Sequence, residues 1–136
     1  MKNEIKRLGD AELEIMQVIW SAEKPIMAAR ILELLQEKRK WALSTLMTSL
    51  ARLAEKGFVF CDRTHRNNQY TALISEEDYK RKESKNFLER LYGNSLQGLV
   101  ATLYHDKSIS EEDIIELRSF LDKLEKGEDG CRNRFF

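Results

Sequence analysis

Apolar residues recur at helical spacing through the first part of the chain and predict three successive helices. The predicted helices are 10–21, about 27–38 and 43–56. Gly57 suits the end of the third helix, because glycine is the preferred residue just after a helix. Two short runs rich in strand formers then follow, at 58–61 and 69–74, with a polar turn between them. Three helices followed by a hairpin are typical of a winged helix-turn-helix domain, predicted here over residues 1–74.

The pattern becomes helical again from residue 75 onward. One helix is predicted from Ser75 to about Tyr92 and a shorter helix from Ser95. A last helix begins after Ser110, whose hydroxyl and the carboxylate of Asp113 form a variant of the capping box. The predicted fold is therefore mainly α with a small β-hairpin. A winged helix-turn-helix domain is followed by a helical region over 75–126 and a flexible tail over 127–136.

Apolar side chains line one side of each of the last two predicted helices. In the final helix they are spaced by 3, 4 and 3 residues, as in an a/d seam of two heptads. The residues of both stripes are Leu96, Leu99, Val100, Leu103, Ile114, Leu117, Leu121 and Leu124. This is more apolar surface than a lone terminal helix needs, so we predict that these residues form a dimer interface. Packing within one chain remains the alternative.

Charge along the chain is uneven although its total is zero, with 23 basic and 23 acidic residues. Residues 38–66 hold seven Lys or Arg against two Asp or Glu. A local basic patch on a neutral protein can attract a polyanion such as DNA, while a solvated face is the alternative. Basic side chains before the third helix and near the hairpin tip are candidates for contact with DNA: Lys40, Arg63, His65 and Arg66.

The third predicted helix separates apolar from hydroxyl side chains. A helical wheel places the apolar residues Leu43, Leu46, Met47, Leu50, Leu53 and Ala54 on one face. The opposite face carries Ser44, Thr45, Thr48, Arg52 and Lys56, with Ser49 at its margin and Glu55 as its one acidic residue. Short hydroxyl side chains let a helix enter the major groove, and an arginine there can bind guanine or a phosphate. We therefore predict DNA contacts from Ser44, Thr45, Thr48, Ser49 and Arg52.

Other classes of function have little support in the sequence. No apolar run approaches the roughly 18 residues of a membrane span, and no signal peptide is visible, so a cytoplasmic protein without membrane insertion is expected. Cys61 and Cys131 are too far apart for zinc-ligand spacing, and His65 and His105 lie in no catalytic motif. We expect no enzyme activity, metal or other cofactor.

Several short motifs follow one another in order over residues 8–124. The most specific is Thr45-Leu46-x-Thr48-x-Leu50-x-Arg52-Leu53-x-x-Lys56-Gly57. The others are Leu8-x-x-Ala11-Glu12-Leu13-x-x-Met16-x-x-Ile19-Trp20, Tyr92-Gly93-x-Ser95-Leu96-x-x-Leu99-Val100 and Ser110-Glu111-Glu112-x-Ile114-x-Glu116-Leu117. In these motifs the chain resembles the penicillinase-repressor family, the BlaI/MecI/CopY type of winged-helix transcriptional regulators.

The resemblance implies a homodimeric repressor that binds a palindromic operator in double-stranded DNA, with Thr45, Thr48 and Arg52 as recognition-helix residues. In the β-lactam branch of that family, proteolysis in the dimerisation region relieves repression, so a membrane sensor protease is a further candidate partner. The matching stretch 100–104 lacks the usual Asn-Phe bond, which leaves the signal open. The copper-responsive branch uses a cluster of C-terminal cysteines, whereas this chain has only Cys131 there.

Two alternatives remain open at this stage. In the first, a small molecule binds among the aromatic residues Phe87, Tyr92, Tyr104 and Phe120 and regulates the protein, although core packing also explains these residues. In the second, the winged helix binds another protein and has no role on DNA, since a fold alone does not decide function. An apolar outward face on the third helix would favour the second alternative.

Overall fold

The computed structural model describes residues 5–127. In chain order the elements are α1 (Asp10–Ser21), β1 (Ile26–Met27), α2 (Ala28–Leu35), α3 (Leu43–Glu55), β2 (Val59–Asp62), β3 (Gln69–Ala72), α4 (Glu76–Tyr92), α5 (Leu96–His105) and α6 (Glu111–Lys126). The predicted fold class is confirmed, with the helices in the predicted order and a hairpin after the third. The tail predicted over 127–136 lies outside the described residues, except for Gly127.

The start of the second predicted helix is wrong, because residues 26 and 27 form a strand. Ile26 pairs with Tyr70 and Met27 with Gln69, which places β1 antiparallel to β3 in a sheet of order β1-β3-β2. The backbone at Met27 is accordingly extended, and α2 begins only at Ala28. The helix also ends at Leu35 rather than near residue 38, since the chain turns there and two following amides donate to the Leu35 carbonyl.

The core of the N-terminal part is formed by side chains from the three helices and from the hairpin. Nine side chains are almost completely buried there: Ile15, Met16, Ile31, Leu35, Leu46, Leu50, Leu53, Phe58 and Val59. Gly57 follows α3 with φ +86°, a left-handed conformation that a β-carbon would strain, and so turns the chain from α3 into β2. The hairpin therefore begins immediately after α3.

The chain divides into two compact units, the first ending at Tyr79 and the second beginning at Lys80. The first turn of α4 thus belongs to the first unit. The Leu8 amide donates a hydrogen bond of 2.9 Å to the Tyr79 hydroxyl, and the Tyr79 ring centroid lies 5.8 Å from that of Phe58 and 5.9 Å from that of Trp20. Tyr79 is consequently a core residue of the first unit.

The second unit contains α5 and α6, and neither helix has a buried residue in the described chain. The predicted capping box at the start of α6 is confirmed. The Asp113 amide donates to the Ser110 hydroxyl at 3.1 Å, and the Ser110 amide donates to the Asp113 carboxylate at 2.8 Å. These local contacts fix where α6 begins but contribute no core.

Candidate nucleic-acid interface

The exposed face of α3 is rotated relative to the predicted one. Leu46, Ser49, Leu50 and Leu53 form the buried stripe, at spacings of 3, 1 and 3. Ser49 is only 9% exposed, so its assignment to the DNA-binding face is corrected: its small side chain fills a position between the leucines against the core. In exchange, Leu43, Met47 and Ala54 are exposed, although the wheel placed them toward the core.

The other candidates on α3 lie on its exposed surface. Ser44, Thr45, Thr48 and Arg52 are all exposed, and the first turn of the helix contains no acidic residue. Hydroxyl groups on an exposed helix can bond to phosphates or base edges, and Arg52 can form two parallel bonds to guanine. The structure therefore brings four of the five predicted α3 residues onto the exposed side of one helix.

Lys56, which the wheel placed on the outward face, is engaged by α1 instead. Its Nζ lies 2.8 and 2.9 Å from the two carboxylate oxygens of Glu12 on that helix. Burial raises the pKa of Glu12, but the hydrogen bonds from Lys56 and the Gly9 amide, with the positive charges of Lys56 and Arg52, outweigh it. The pKa of Glu12 is lowered overall, so the carboxylate stays ionised at neutral pH. Its bonds to Lys56 link α1 to the end of α3.

The loop before α3 is braced by side chains that the sequence did not single out. The Gln36 amide group donates to the Trp41 carbonyl at 3.0 Å and accepts from the Trp41 amide at 3.2 Å. The Glu14 carboxylate accepts from the Trp41 indole at 3.3 Å and from Arg39 at 3.2 Å. Because Ala42 offers no side-chain cap, these bonds set the entry into α3.

One sequence signal could have identified this brace. Trp41 stands immediately before the cap residue Ala42, and Leu46 stands at the fourth helical position. A hydrophobic pair at those two positions is the pattern of a hydrophobic staple, and both residues are buried in the core. No local pattern marks Glu14 or Gln36, since their role depends on how α1 and α2 pack.

The hairpin between β2 and β3 exposes Arg63, His65 and Arg66. Asp62 organises the turn by accepting from the Thr64 hydroxyl at 2.7 Å and from its amide at 3.0 Å. These two bonds, with the nearby His65, lower the pKa of Asp62. His65 Nε2 lies 3.4 Å from the same carboxylate. These contacts of Asp62 are with Thr64 and His65, so Arg63 and Arg66 are the exposed cations of the turn.

Lys40 is exposed in the same loop as Arg39, next to the start of α3. A shallow pocket of about 180 Å³ at this place is lined by Ala11, Arg39, Lys40, Trp41, Ala42 and Thr45. Tyr70 on β3, in contrast, is buried, as expected for a residue that packs the hairpin. Burial and a hydrogen bond with Cys61 raise the pKa of Tyr70.

The apolar stripes of α5 and α6 face an open groove of about 850 Å³ within the second unit. Five of the eight predicted interface residues line it: Leu96, Val100, Ile114, Leu117 and Leu121. Leu99 and Leu103 are half-buried, and Leu124 is exposed at the far end of α6. Tyr104 and Ile115 also line the groove, although the sequence pattern did not assign them to the interface.

Metal-binding and membrane-spanning features are both missing from the described chain. Within residues 5–127, no three His, Cys, Asp or Glu side chains come together as metal ligands. In the same part of the chain, no helix combines the length and the apolar character that crossing a membrane requires.

The fold and the exposed face of α3 define a winged-helix DNA-binding module. The model of the penicillinase repressor family matches residues 8–123, nearly the whole chain. The chain therefore belongs to the penicillinase repressor family of DNA-binding transcriptional repressors.

Individual relatives agree with this assignment. The methicillin resistance regulatory protein MecI of Mammaliicoccus sciuri is 35% identical over 123 residues, which cover 90% of this chain and 99% of MecI. The penicillinase repressor of Bacillus licheniformis is 34% identical over 119 residues, covering 88% and 92% of the two chains. Among solved structures, the DNA-binding domain of the repressor BlaI matches with a TM-score of 0.50 and 37% identity, over 58% of this chain and 94% of that domain.

Proposed function

We propose that this chain is a homodimeric repressor that occupies a palindromic operator in the cytoplasm and contributes no catalytic step. The observation that supports this most directly is the exposed face of α3, which presents Ser44, Thr45, Thr48 and Arg52 and has no acidic residue in the first turn of the helix. In the proposal, α3 enters the major groove and these four side chains contact bases and phosphates.

The hairpin and the loop before α3 supply the remaining contacts. Arg63, Arg66 and Lys40 are exposed cations, which we assign to the phosphate backbone. His65 lies against Asp62 and is assigned a secondary contact at the same turn. Phosphate contacts position the protein on the duplex, whereas α3 selects the sequence.

A second copy of the chain is proposed to cover the groove between α5 and α6. Neither helix has a buried residue in the described chain, and three large apolar side chains are exposed on them: Leu96 at 54%, Ile115 at 62% and Leu121 at 44%. A monomer gains nothing from such exposed apolar side chains, while a self-complementary interface buries them on both copies at once. The interface residues proposed are Leu96, Leu99, Val100, Leu103, Ile114, Leu117, Leu121 and Leu124.

The test is a binding selection from a random DNA pool, followed by sequencing of the bound fraction. A motif with two-fold symmetry, with half-sites separated by one or more helical turns of about 34 Å, is the expected result. Enrichment of a single half-site would retain DNA binding and reject the dimer. If a folded and dimeric protein enriches no motif at low salt, the DNA-binding proposal is wrong, and the protein-binding module becomes the better hypothesis.

Relief of repression is proposed to follow antibiotic exposure, because the relatives are named for methicillin resistance and penicillinase. A reporter placed behind the selected operator tests this in cells treated with a β-lactam, with the chain followed by immunoblot. Derepression with a shortened chain supports a membrane sensor protease as the partner. Derepression with an intact chain supports a small-molecule ligand instead, and no derepression rejects the antibiotic signal.

A further inference from the structure

Two apolar side chains are exposed on α3 beside its hydroxyl face. Leu43 is 54% exposed and Met47 is 38% exposed, one helical turn apart. The core takes Ser49 in preference to either of them, so the rotation of the helix places a serine inside and a methionine outside. This exchange buries a polar side chain and leaves an apolar one at the surface, where it is accessible to a partner that accepts apolar groups.

The order of side chains around α3 shows where that partner lies. At about 100° per residue, the exposed residues follow one another as Leu43, Ala54, Met47, Ala51, Ser44, Glu55, Thr48, Arg52 and Thr45. Met47 is therefore a neighbour of Ser44, three positions earlier and about 60° away around the helix, with only the small side chain of Ala51 between them on the wheel. The proposed function places Ser44 against DNA. A surface that meets the hydroxyl groups also meets the Met47 side chain.

The base edges exposed in the major groove carry one apolar group. Thymine presents its C5-methyl group there, whereas the other bases present only hydrogen-bond donors and acceptors. The alternative partner, an apolar protein surface, is less well matched to the charge around α3. Residues 38–66 carry seven basic and two acidic side chains, and Lys40, Arg52, Arg63 and Arg66 are exposed.

We propose that Met47 is a specificity-determining residue that packs against the C5-methyl group of a thymine in the operator, with Leu43 bordering the same contact. The inference rests on the proposed DNA binding and adds the base that this flank of α3 selects. An unbranched side chain with three rotatable bonds fits such a contact, because it adapts to the position of the methyl group.

The experiment compares operators that contain thymine or deoxyuridine, which lacks the C5-methyl group and keeps the same base pairing. Using the full chain and the operator from the selection, each thymine is replaced singly, and the affinities of the wild type and of Met47→Ala are measured. At one thymine in each half-site, the wild type should bind roughly three- to fivefold more weakly, the size expected from removing one buried methyl group. Met47→Ala should be weakened by about the same factor on the thymine operator and no further on the matching deoxyuridine operator.

Three variants make the test specific. Met27→Ala removes a methionine of nearly equal exposure, 39%, from β1 and should leave binding unchanged. Met47→Leu keeps an apolar side chain and should retain the preference for thymine, whereas Met47→Gln should abolish it. Because Met47 is already exposed to solvent, thermal melting of these variants should match that of the wild type.

Each contrary result has its own meaning. Equal affinities for every thymine and deoxyuridine operator, or effects of Met47→Ala and deoxyuridine that simply add, would reject the methyl contact and leave DNA binding intact. Absence of any sequence-specific binding would reject the proposed function itself. Capture of an apolar peptide by the wild type but not by Met47→Ala would assign the flank to a protein partner.

Discussion

Lys56 and Glu12 join the end of α3 to the first turn of α1, with Nζ 2.8 Å from one carboxylate oxygen and 2.9 Å from the other. Both side chains are largely shielded, at 29% and 13% exposure. Burial disfavours the ionised carboxylate, but its bonds to Lys56 and the Gly9 amide outweigh that cost, and this couples the pair to pH.

The first prediction concerns this pair and stability. Lys56→Met should lower the free energy of unfolding by about 1–2 kcal/mol at neutral pH, since it leaves the Glu12 carboxylate without its main partner. The pKa of Glu12 is lowered in the folded state, so its stabilising effect is present above the unfolded value of about 4.5 and is lost as the pH falls through the folded value. Urea unfolding of both proteins from pH 7 to pH 3 measures the difference, which should shrink in acid.

Lys24→Met is the control, because Lys24 is an exposed lysine between α1 and β1. Its effect on unfolding should be small at every pH. A difference between Lys56→Met and wild type that stays constant down to pH 3 would show that the Glu12 charge is not responsible.

The second prediction concerns sequence specificity. Arg52→Ala should weaken binding to the selected operator by about 1–3 kcal/mol if Arg52 bonds to guanine, with a much smaller effect on random DNA. Fluorescence anisotropy on both duplexes measures the two affinities. Arg90→Ala, an exposed arginine in the last turn of α4, serves as the control. Full affinity of Arg52→Ala for the operator would remove this residue from the interface.

The third prediction concerns the hairpin. Arg63→Ala and Arg66→Ala should each weaken binding on all sequences alike, because the phosphate backbone carries no sequence information. Each substitution that frees one phosphate should reduce the steepness of log affinity against log salt concentration by about 0.9. Titrations between low and moderate salt measure the slope. A hairpin that lies away from the DNA would leave the slope unchanged in both variants.

The fourth prediction concerns assembly. Leu121→Glu places a charge in the groove between α5 and α6 and should convert the proposed dimer to a monomer, since an unpaired charge is costly in an apolar interface. Sedimentation velocity measures the oligomeric state. Ser119→Glu, on an exposed position of α6 outside the groove lining, should leave the dimer intact. A monomeric wild type, or a dimer that tolerates Leu121→Glu, would contradict the proposed interface.

Much of the architecture followed from local patterns. The span of α3 follows from its apolar repeat and Gly57, and the start of α6 follows from Ser110 and Asp113. Each of these depends on contacts between residues a few positions apart, so the sequence alone determines them. The order of three helices and a hairpin, and with it the winged-helix class, was determined in the same way.

Tertiary packing decided the features that local patterns leave open. The strand at Ile26–Met27 exists because Tyr70 and Gln69 offer backbone partners from a distant part of the chain. The helical wheel places Lys56 on the outward face, but the packing of α1 against α3 brings Glu12 within bonding distance of it. Ser49 and Met47 lie close to the boundary between the faces of α3, where a helical wheel does not distinguish buried from exposed positions. The elements that pack against the helix bury Ser49 and leave Met47 exposed, and the same rotation determines which side chains are available for the proposed contact with DNA.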